Sequence, residues 1–237
     1  MQLHTALISA IIIFFILILY LTNRERQNSI PVLDQTARAL SFQPKQEAPP
    51  ELIEGLHRLQ NGREKAKPTI DHIYHRQDFD ADYYLFNLDD PSDDQNIWIT
   101  STTFSVISPS LTSPTFYLLS LPSLDKEGPL NEWMERMLAK TLDWAASHQG
   151  FTRLSFPHKY DFDDHYVLFV KDELSAQRFF TDQRLSSLCG IRDHFQIMGG
   201  GNLLTISHLY RSPTNKNTSQ KELYRILRDV FQFFQQK

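Results

Sequence analysis

The chain has 237 residues, of which 41% are hydrophobic and 22% charged, and its formal net charge at pH 7 is −4. This composition excludes a collagen, a disulfide-rich scaffold and a fully disordered chain. Because 28 acidic residues face 24 basic ones, it also argues against a protein that binds nucleic acid through a general excess of positive charge. We therefore expect no nucleic-acid partner.

The N-terminal segment is the most informative part of the sequence. Residues 2–23 contain no Lys, Arg, Asp or Glu, and residues 6–21 are apolar except for Ser9 and Tyr20. A helix of about 20 such residues spans a bilayer core. We predict a transmembrane anchor over residues 1–23. Its membrane-spanning residues include Ala6, Ile11, Phe14, Ile18 and Leu21. The lipid bilayer is then the first expected partner.

Two other interpretations of this segment are less favoured. A cleaved signal peptide would need a basic N-terminal region and a small-x-small cleavage site, and residues 1–5 and 19–23 provide neither. A buried core helix would not normally lie at the terminus, apolar on all sides and ending in Asn-Arg-Glu-Arg at residues 23–26. Arg24 and Arg26 follow the segment, so the positive-inside rule predicts a single-pass protein of the cell membrane with residues 24–237 in the cytoplasm. The single cysteine, Cys189, suits a reducing compartment.

After the anchor, residues 24–50 read as a juxtamembrane linker, because residues 43–50 are polar and rich in proline. We expect one soluble domain over residues 51–237, with residues 51–150 and 151–237 as two halves. A short helix is predicted at residues 36–40. A second helix is predicted at residues 51–60, where four apolar side chains share one face: Leu52, Ile53, Leu56 and Leu59.

The hydrophobic period then changes from about four residues to two, which indicates strands. Strands are predicted at residues 70–79, 83–88, 97–107 and 116–121. The acidic stretch at residues 89–94 has the chemistry of a turn. Apolar residues at helical spacing next predict a helix over residues 130–147.

The last third of the chain predicts a strand at residues 166–170, a helix capped by Asp172, a turn ending at Gly190, and a closing helix at residues 220–235. Gly199 to Asn202 separate two apolar runs and predict a hairpin. Neighbouring strands joined by short polar turns favour antiparallel pairing. We therefore expect an α+β domain of mainly antiparallel sheet, with helices packed on one face.

Two histidine clusters are the candidate chemical sites. His158, Asp161, Asp163 and His165 lie close together in sequence, and Asp71, His72 and His75 form a D-H-x-x-H pattern. A metal site needs three or four converging ligands, and solvated loop residues are the more common interpretation of both clusters. The acidic turn lacks the EF-hand pattern, and the three glycines at 199–201 precede a strand rather than a helix.

No nucleophile or cofactor motif is present, because the chain contains no G-x-S-x-G, H-E-x-x-H, G-x-x-x-x-G-K or G-x-G-x-x-G. Cys189 is interpreted as a small core residue. We therefore predict no cofactor, no metal and no catalytic residue.

The order of features resembles a group of uncharacterised bacterial single-pass membrane proteins. The resemblance rests on the N-terminal span and on four later segments, at residues 39–42, 83–86, 116–118 and 162–168, followed by the terminal amphipathic helix. It implies a membrane-anchored α+β domain. It carries no activity, cofactor or catalytic residue.

Three functions follow from these observations. The first is a membrane-tethered, non-enzymatic domain that binds a protein partner at the cytoplasmic face. The second is a membrane-bound enzyme with a dispersed site around His158, Asp161, Asp163 and His165. The third is a lipid or small-ligand binder that uses the many aromatic side chains around a cavity.

Overall fold

The structure is a computed structural model that describes residues 30–59, 69–89, 100–120, 150–157, 159, 161–191, 195–208 and 216–235. The predicted anchor at residues 1–23, the predicted helix at residues 130–147 and the acidic turn beyond residue 89 lie outside these ranges. Within the described ranges, every helix is too short or too polar to cross a bilayer.

One antiparallel sheet contains all the described strands. In chain order they are β1 (Gln43–Pro44), β2 (Thr69–Asp78), β3 (Ala81–Asp89), β4 (Thr100–Ile107), β5 (Ser113–Ser120), β6 (Thr152–Leu154), β7 (Tyr166–Val170), β8 (Phe195–Gly201) and β9 (Leu203–His208). The order across the sheet is β1-β2-β3-β4-β9-β8-β5-β7-β6, and every described pair is antiparallel. The predicted α+β class with a mainly antiparallel sheet is confirmed.

Six helices are described: α1 (residues 30–39), α2 (Pro50–Leu59), α3 (Phe162–His165), α4 (Glu173–Phe179), α5 (Asp182–Cys189) and α6 (Lys216–Gln235). The predicted cap is present, because the Asp172 carboxylate accepts hydrogen bonds from the amides of Leu174 and Ser175 at the start of α4. The predicted apolar side of α6 is also present and buried, at Leu223, Ile226, Leu227, Val230, Phe231 and Phe234.

Helices lie on both faces of the sheet, so the expectation of one covered face is wrong. Successive residues of a strand point to opposite faces. Leu85 of β3 accordingly belongs to the large core formed with α1, α4, α5 and α6, whereas its neighbour Phe86 belongs to a second core formed with α2. Two of the α2 residues in that second core, Leu52 and Leu56, are fully buried.

The linker prediction is corrected for residues 30–50. Leu33 and Ala37 of α1 and the following Phe42 are buried in the large core. β1 pairs with β2, where Gln43 lies opposite His75. The folded domain therefore includes α1 and β1, and residues 43–44 are extended because they form an edge strand.

The hairpin of β8 and β9 is confirmed, with Gly201 and Asn202 as its two turn residues and Gly201 at φ +62°. Gly199 lies within β8 for a different reason. A Cβ atom at this position would stand 2.3 Å from Cε1 of Phe116, so glycine lets the Phe116 ring lie against the strand. This hairpin belongs to the second predicted half, yet β9 and β8 lie between β4 and β5 of the first half, so the two halves share one sheet.

Candidate functional site

Three of the four residues of the predicted His/Asp cluster lie in the described part of the chain: Asp161, Asp163 and His165. Both carboxylate oxygens of Asp163 accept a hydrogen bond from the amide of Phe156, at 3.2 and 2.9 Å. Asp161 precedes α3 at φ +56° and makes no capping bond with its side chain. His165 ends α3 with its ring 6.5 Å from that of Tyr166. His158 lies outside the described residues.

The D-H-x-x-H pattern lies on β2, at an irregularity of register between Asp71 and Tyr74. His72 is exposed there and has a backbone φ of +52°. His75 and Asp82 are hydrogen-bonded, with 2.7 Å between Nε2 of His75 and Oδ1 of Asp82. Across the described part of the chain, no three His, Cys, Asp or Glu side chains are close enough to share a metal ion. The enzyme hypothesis therefore stays a prediction.

Cys189 packs partly buried against the large core, as predicted for a small core residue. Burial raises the pKa of its thiol, and Asp161 raises that pKa further. A thiol with a raised pKa is a poorer nucleophile at neutral pH.

The turn between β2 and β3 presents an aromatic side chain to solvent. Asp78 pairs with Ala81, which leaves Phe79 and Asp80 as the two turn residues. Phe79 is 98% exposed and has φ +53°. A residue with a Cβ atom pays roughly 1–2 kcal/mol for a left-handed backbone conformation, and a bulky residue adopts it rarely. The chain therefore holds a large apolar side chain in an unfavourable conformation where burial does not compensate it.

Hydrogen bonds fix this turn to the rest of the domain. The buried Ser108 hydroxyl donates to the carbonyl of Asp80 at 3.2 Å and shares a 2.7 Å hydrogen bond with the Ser110 hydroxyl. The Gln235 amide at the end of α6 donates to Ser110. We call residues 78–81 the Phe79 turn. It is a fixed part of the surface that displays one aromatic ring.

A groove of about 550 Å³ lies between the end of α1, strand β2 and helix α6. We call it the basic groove, because four cations and one carboxylate contribute to its lining. The lining residues are Ala39, Leu40, Ser41, Arg76, Lys221, Tyr224, Arg225, Arg228, Asp229 and Gln232.

One tyrosine of the basic groove packs against a second tyrosine in the core. Tyr224 lines the groove, and its ring packs edge-on against those of Phe42 and Tyr83, at 5.4 and 5.8 Å between centroids. Burial raises the pKa of Tyr224, while the charges of Arg76 and Arg228 act to lower it. Burial likewise raises the pKa of Tyr83 to about 12. Both phenols therefore stay neutral and able to donate a hydrogen bond at physiological pH.

Neither the Phe79 turn nor the basic groove was predicted from the sequence. The available signal for the Phe79 turn was a phenylalanine between two aspartates, at the end of the strand predicted over residues 70–79. The basic groove is formed by α1, β2 and α6, which are far apart in sequence. In the sequence, the exposed charges of α6 have the pattern of an ordinary solvated surface.

No family model matches the chain, and no curated protein matches it. Among solved structures, the chain is similar to the crystal structure of the mycobacterial trehalose monomycolate transport factor A, TtfA. The sequence identity is 12% and the TM-score 0.47, and the match covers 85% of this chain and 90% of that chain. A likeness at this level supports no inference about function.

Proposed function

We propose that the protein is a membrane-tethered, non-enzymatic domain that binds a protein partner at the cytoplasmic face, with Phe79 as the anchor of the contact. The observation that carries this proposal is the nearly complete exposure of Phe79 in a left-handed backbone conformation. Backbone strain of this kind persists where the surroundings hold it, and it concentrates at functional sites.

The chemistry of the turn indicates what the partner offers. Aromatic side chains are enriched at the centres of protein interfaces, where a few anchors fill pockets and supply most of the affinity. Asp78, Asp80 and Asp82 surround Phe79 in sequence. Asp78 lies 3.6 Å from Arg76, and Asp82 contacts His75, so Asp80 is the most exposed of the three. The matching surface on the partner is an apolar pocket with a basic rim.

The membrane tether supports the same proposal by limiting where the domain acts. Residues 24–29 separate the end of the predicted anchor from α1. Six residues reach at most roughly 20 Å when fully extended. The tether thus keeps the domain close to the bilayer and raises its effective concentration toward partners at the same membrane.

Photocrosslinking in native membranes tests the proposal. The full chain is expressed with p-benzoylphenylalanine in place of Phe79, which preserves the ring and adds a crosslinking group. We expect one discrete protein adduct, identified by mass spectrometry. The purified partner should bind the wild-type chain and lose at least about tenfold in affinity for Phe79→Asn, since an interface anchor contributes roughly 2 kcal/mol or more. Asparagine tolerates the left-handed conformation, so the turn is retained.

Leu174 provides the matched control, because it is another large apolar side chain that is 68% exposed, at the start of α4. The crosslinker at position 174 should not yield the adduct, and Leu174→Asn should leave partner binding unchanged. The proposal is wrong if position 79 yields no protein adduct, or if both positions yield the same one.

A further inference from the structure

We propose that the basic groove binds a phosphate group, carried by a small phosphorylated molecule or by a phospholipid headgroup, through Arg228, Lys221 and the hydroxyl of Tyr224. This site is separate from the Phe79 turn and does not depend on a protein partner.

The charge of the groove favours an anionic ligand. The chain as a whole is acidic, with a net charge of −4, yet four of the five charged residues that line the groove are cations. Arg225 is paired with Glu222 and with Asp229, the second pair at 3.0 Å. Arg76 donates to the carbonyl of Leu40 and lies 3.6 Å from Asp78.

The two remaining cations differ from these. Among the described residues, neither Arg228 nor Lys221 has a hydrogen bond or an ion pair to a protein group, so two positive charges in the groove are not matched by carboxylates. Arg184 is an arginine with a structural role, and its contacts contrast with those of Arg228. It donates to the carbonyls of Phe179, Phe233 and Phe234, and its guanidinium lies 4.3 Å from the Phe179 ring centroid.

The hydroxyl of Tyr224 is the second feature that favours a phosphate ligand. Tyr224 is 5% exposed, and its hydroxyl is buried without a hydrogen-bond partner in the described structure. A buried polar group of this kind is destabilising unless something bonds it. A phosphate oxygen would accept this hydrogen bond, while the planar guanidinium of Arg228 would bind two oxygens of the same group.

The volume of the groove suits a phosphorylated compound. A groove of about 550 Å³ lies within the usual range for small-molecule sites and is larger than one inorganic ion requires. A phosphate monoester and a phospholipid headgroup share the chemistry that these residues recognise. The end of α1, which is the first described element after the predicted anchor, also lines the groove. The phosphate can therefore come from a soluble compound or from a lipid of the membrane, and the experiment tests both sources.

The test uses the full chain in neutral-detergent micelles, titrated with glycerol 3-phosphate and, separately, with dihexanoyl phosphatidic acid. Calorimetry measures the dissociation constant, and succinate serves as an anionic compound without phosphate. We expect saturable binding of at least one phosphate compound and weaker binding of succinate. Binding of both compounds assigns the site to a phosphate monoester, and binding of the lipid alone assigns it to a headgroup.

Three variants locate the site. Arg228→Gln should weaken binding roughly tenfold, because it removes a charge-assisted hydrogen bond. Tyr224→Phe should also weaken binding, yet leave the thermal midpoint unchanged or higher, because it removes an unsatisfied buried hydroxyl. Arg178→Gln, an exposed cation on α4 outside the groove, should change neither.

Three outcomes would overturn the inference: no saturable binding of either phosphate compound, succinate binding as tight as theirs, or equal losses for Arg178→Gln and Arg228→Gln. Phe79→Asn should bind phosphate normally. Failure of this site and failure of the protein-binding proposal are therefore distinguishable.

Discussion

Phe79 shows how a single residue can report on function through its backbone. An exposed aromatic side chain by itself needs no explanation, since much of any protein surface is apolar. A left-handed conformation at φ +53° in the same residue is harder to account for, because glycine or asparagine would relieve it without any loss of packing. The two features together make this turn a stronger candidate for a contact site than the exposed Leu174.

Two buried phenols make stability depend on pH in the alkaline range. Burial raises the pKa of Tyr83 to about 12 and that of Tyr84 to about 12, whereas an unfolded tyrosine titrates near 10. Between these values the unfolded chain has lost protons that the folded chain still holds, so unfolding releases protons. The free energy of unfolding is therefore unaffected by these groups below about pH 10 and falls as the pH rises toward 12.

Urea unfolding of the full chain at pH 8, 10 and 11 measures this effect. The double variant Tyr83→Phe/Tyr84→Phe should show a smaller fall in the free energy of unfolding than the wild type, because phenylalanine cannot titrate. Lysine deprotonation contributes equally to both chains and cancels in the comparison. An identical decline in both chains would contradict the prediction.

At the scale of elements, the contact between β8 and β5 depends on the absence of one methyl group. Gly199→Ala would place a Cβ atom 2.3 Å from the Phe116 ring, which is buried among Phe179, Phe180 and Phe234. We expect the free energy of unfolding to fall by about 1–3 kcal/mol, since overpacking a filled core forces side chains from their preferred rotamers.

A double-mutant cycle and a control separate this clash from a general effect of alanine. Phe116→Leu should destabilise the Gly199→Ala chain less than it destabilises the wild type, because the shorter side chain makes room for the methyl group. Gly190→Ala, where the nearest atom is 3.4 Å away, should leave stability unchanged or raise it by up to about 1 kcal/mol. Additive effects at positions 116 and 199 would contradict the proposed contact.

Elements determined by local sequence were predictable. β7 has the predicted bounds, Asp172 caps α4, and the buried side of α6 follows its helical spacing, because each depends on neighbours within a few residues. α1 and β1 were assigned to the linker, because residues 43–50 are polar and rich in proline and only a short helix was predicted, at residues 36–40. The burial of α1 and the pairing of β1 depend on β2 and α6, which no local pattern reveals. The register of Pro44 against Tyr74 is a contact of this kind.

The candidate site was less predictable than the fold for the same reason. Lys221, Arg225 and Arg228 lie on the exposed side of an amphipathic helix, which is the usual place for charge. They become a candidate site because β2 places Arg76 in the same groove and because the Tyr224 hydroxyl has no partner among the described residues. Neither fact follows from helical periodicity.

For the whole molecule, the proposed tether makes a direct prediction about extraction. The full chain should remain in the membrane pellet after washing with alkaline carbonate, because the predicted span from Ala6 to Leu21 is held by apolar burial rather than by charge. A chain lacking residues 1–23 should move to the supernatant. Release of the full chain, or a mature N-terminus downstream of Thr22, would contradict the anchor, and a reporter at Lys237 measures which side the domain occupies.

The position of the β8–β9 hairpin determines when the sheet can close. β4 and β5 are made early in synthesis, but the two strands that join them come from residues 195–208, near the end of the chain. At typical elongation rates the ribosome needs on the order of several seconds to add the intervening residues. During that delay the nascent chain exposes unpaired strand edges, so its folding should be slow and should benefit from chaperones that shield such edges.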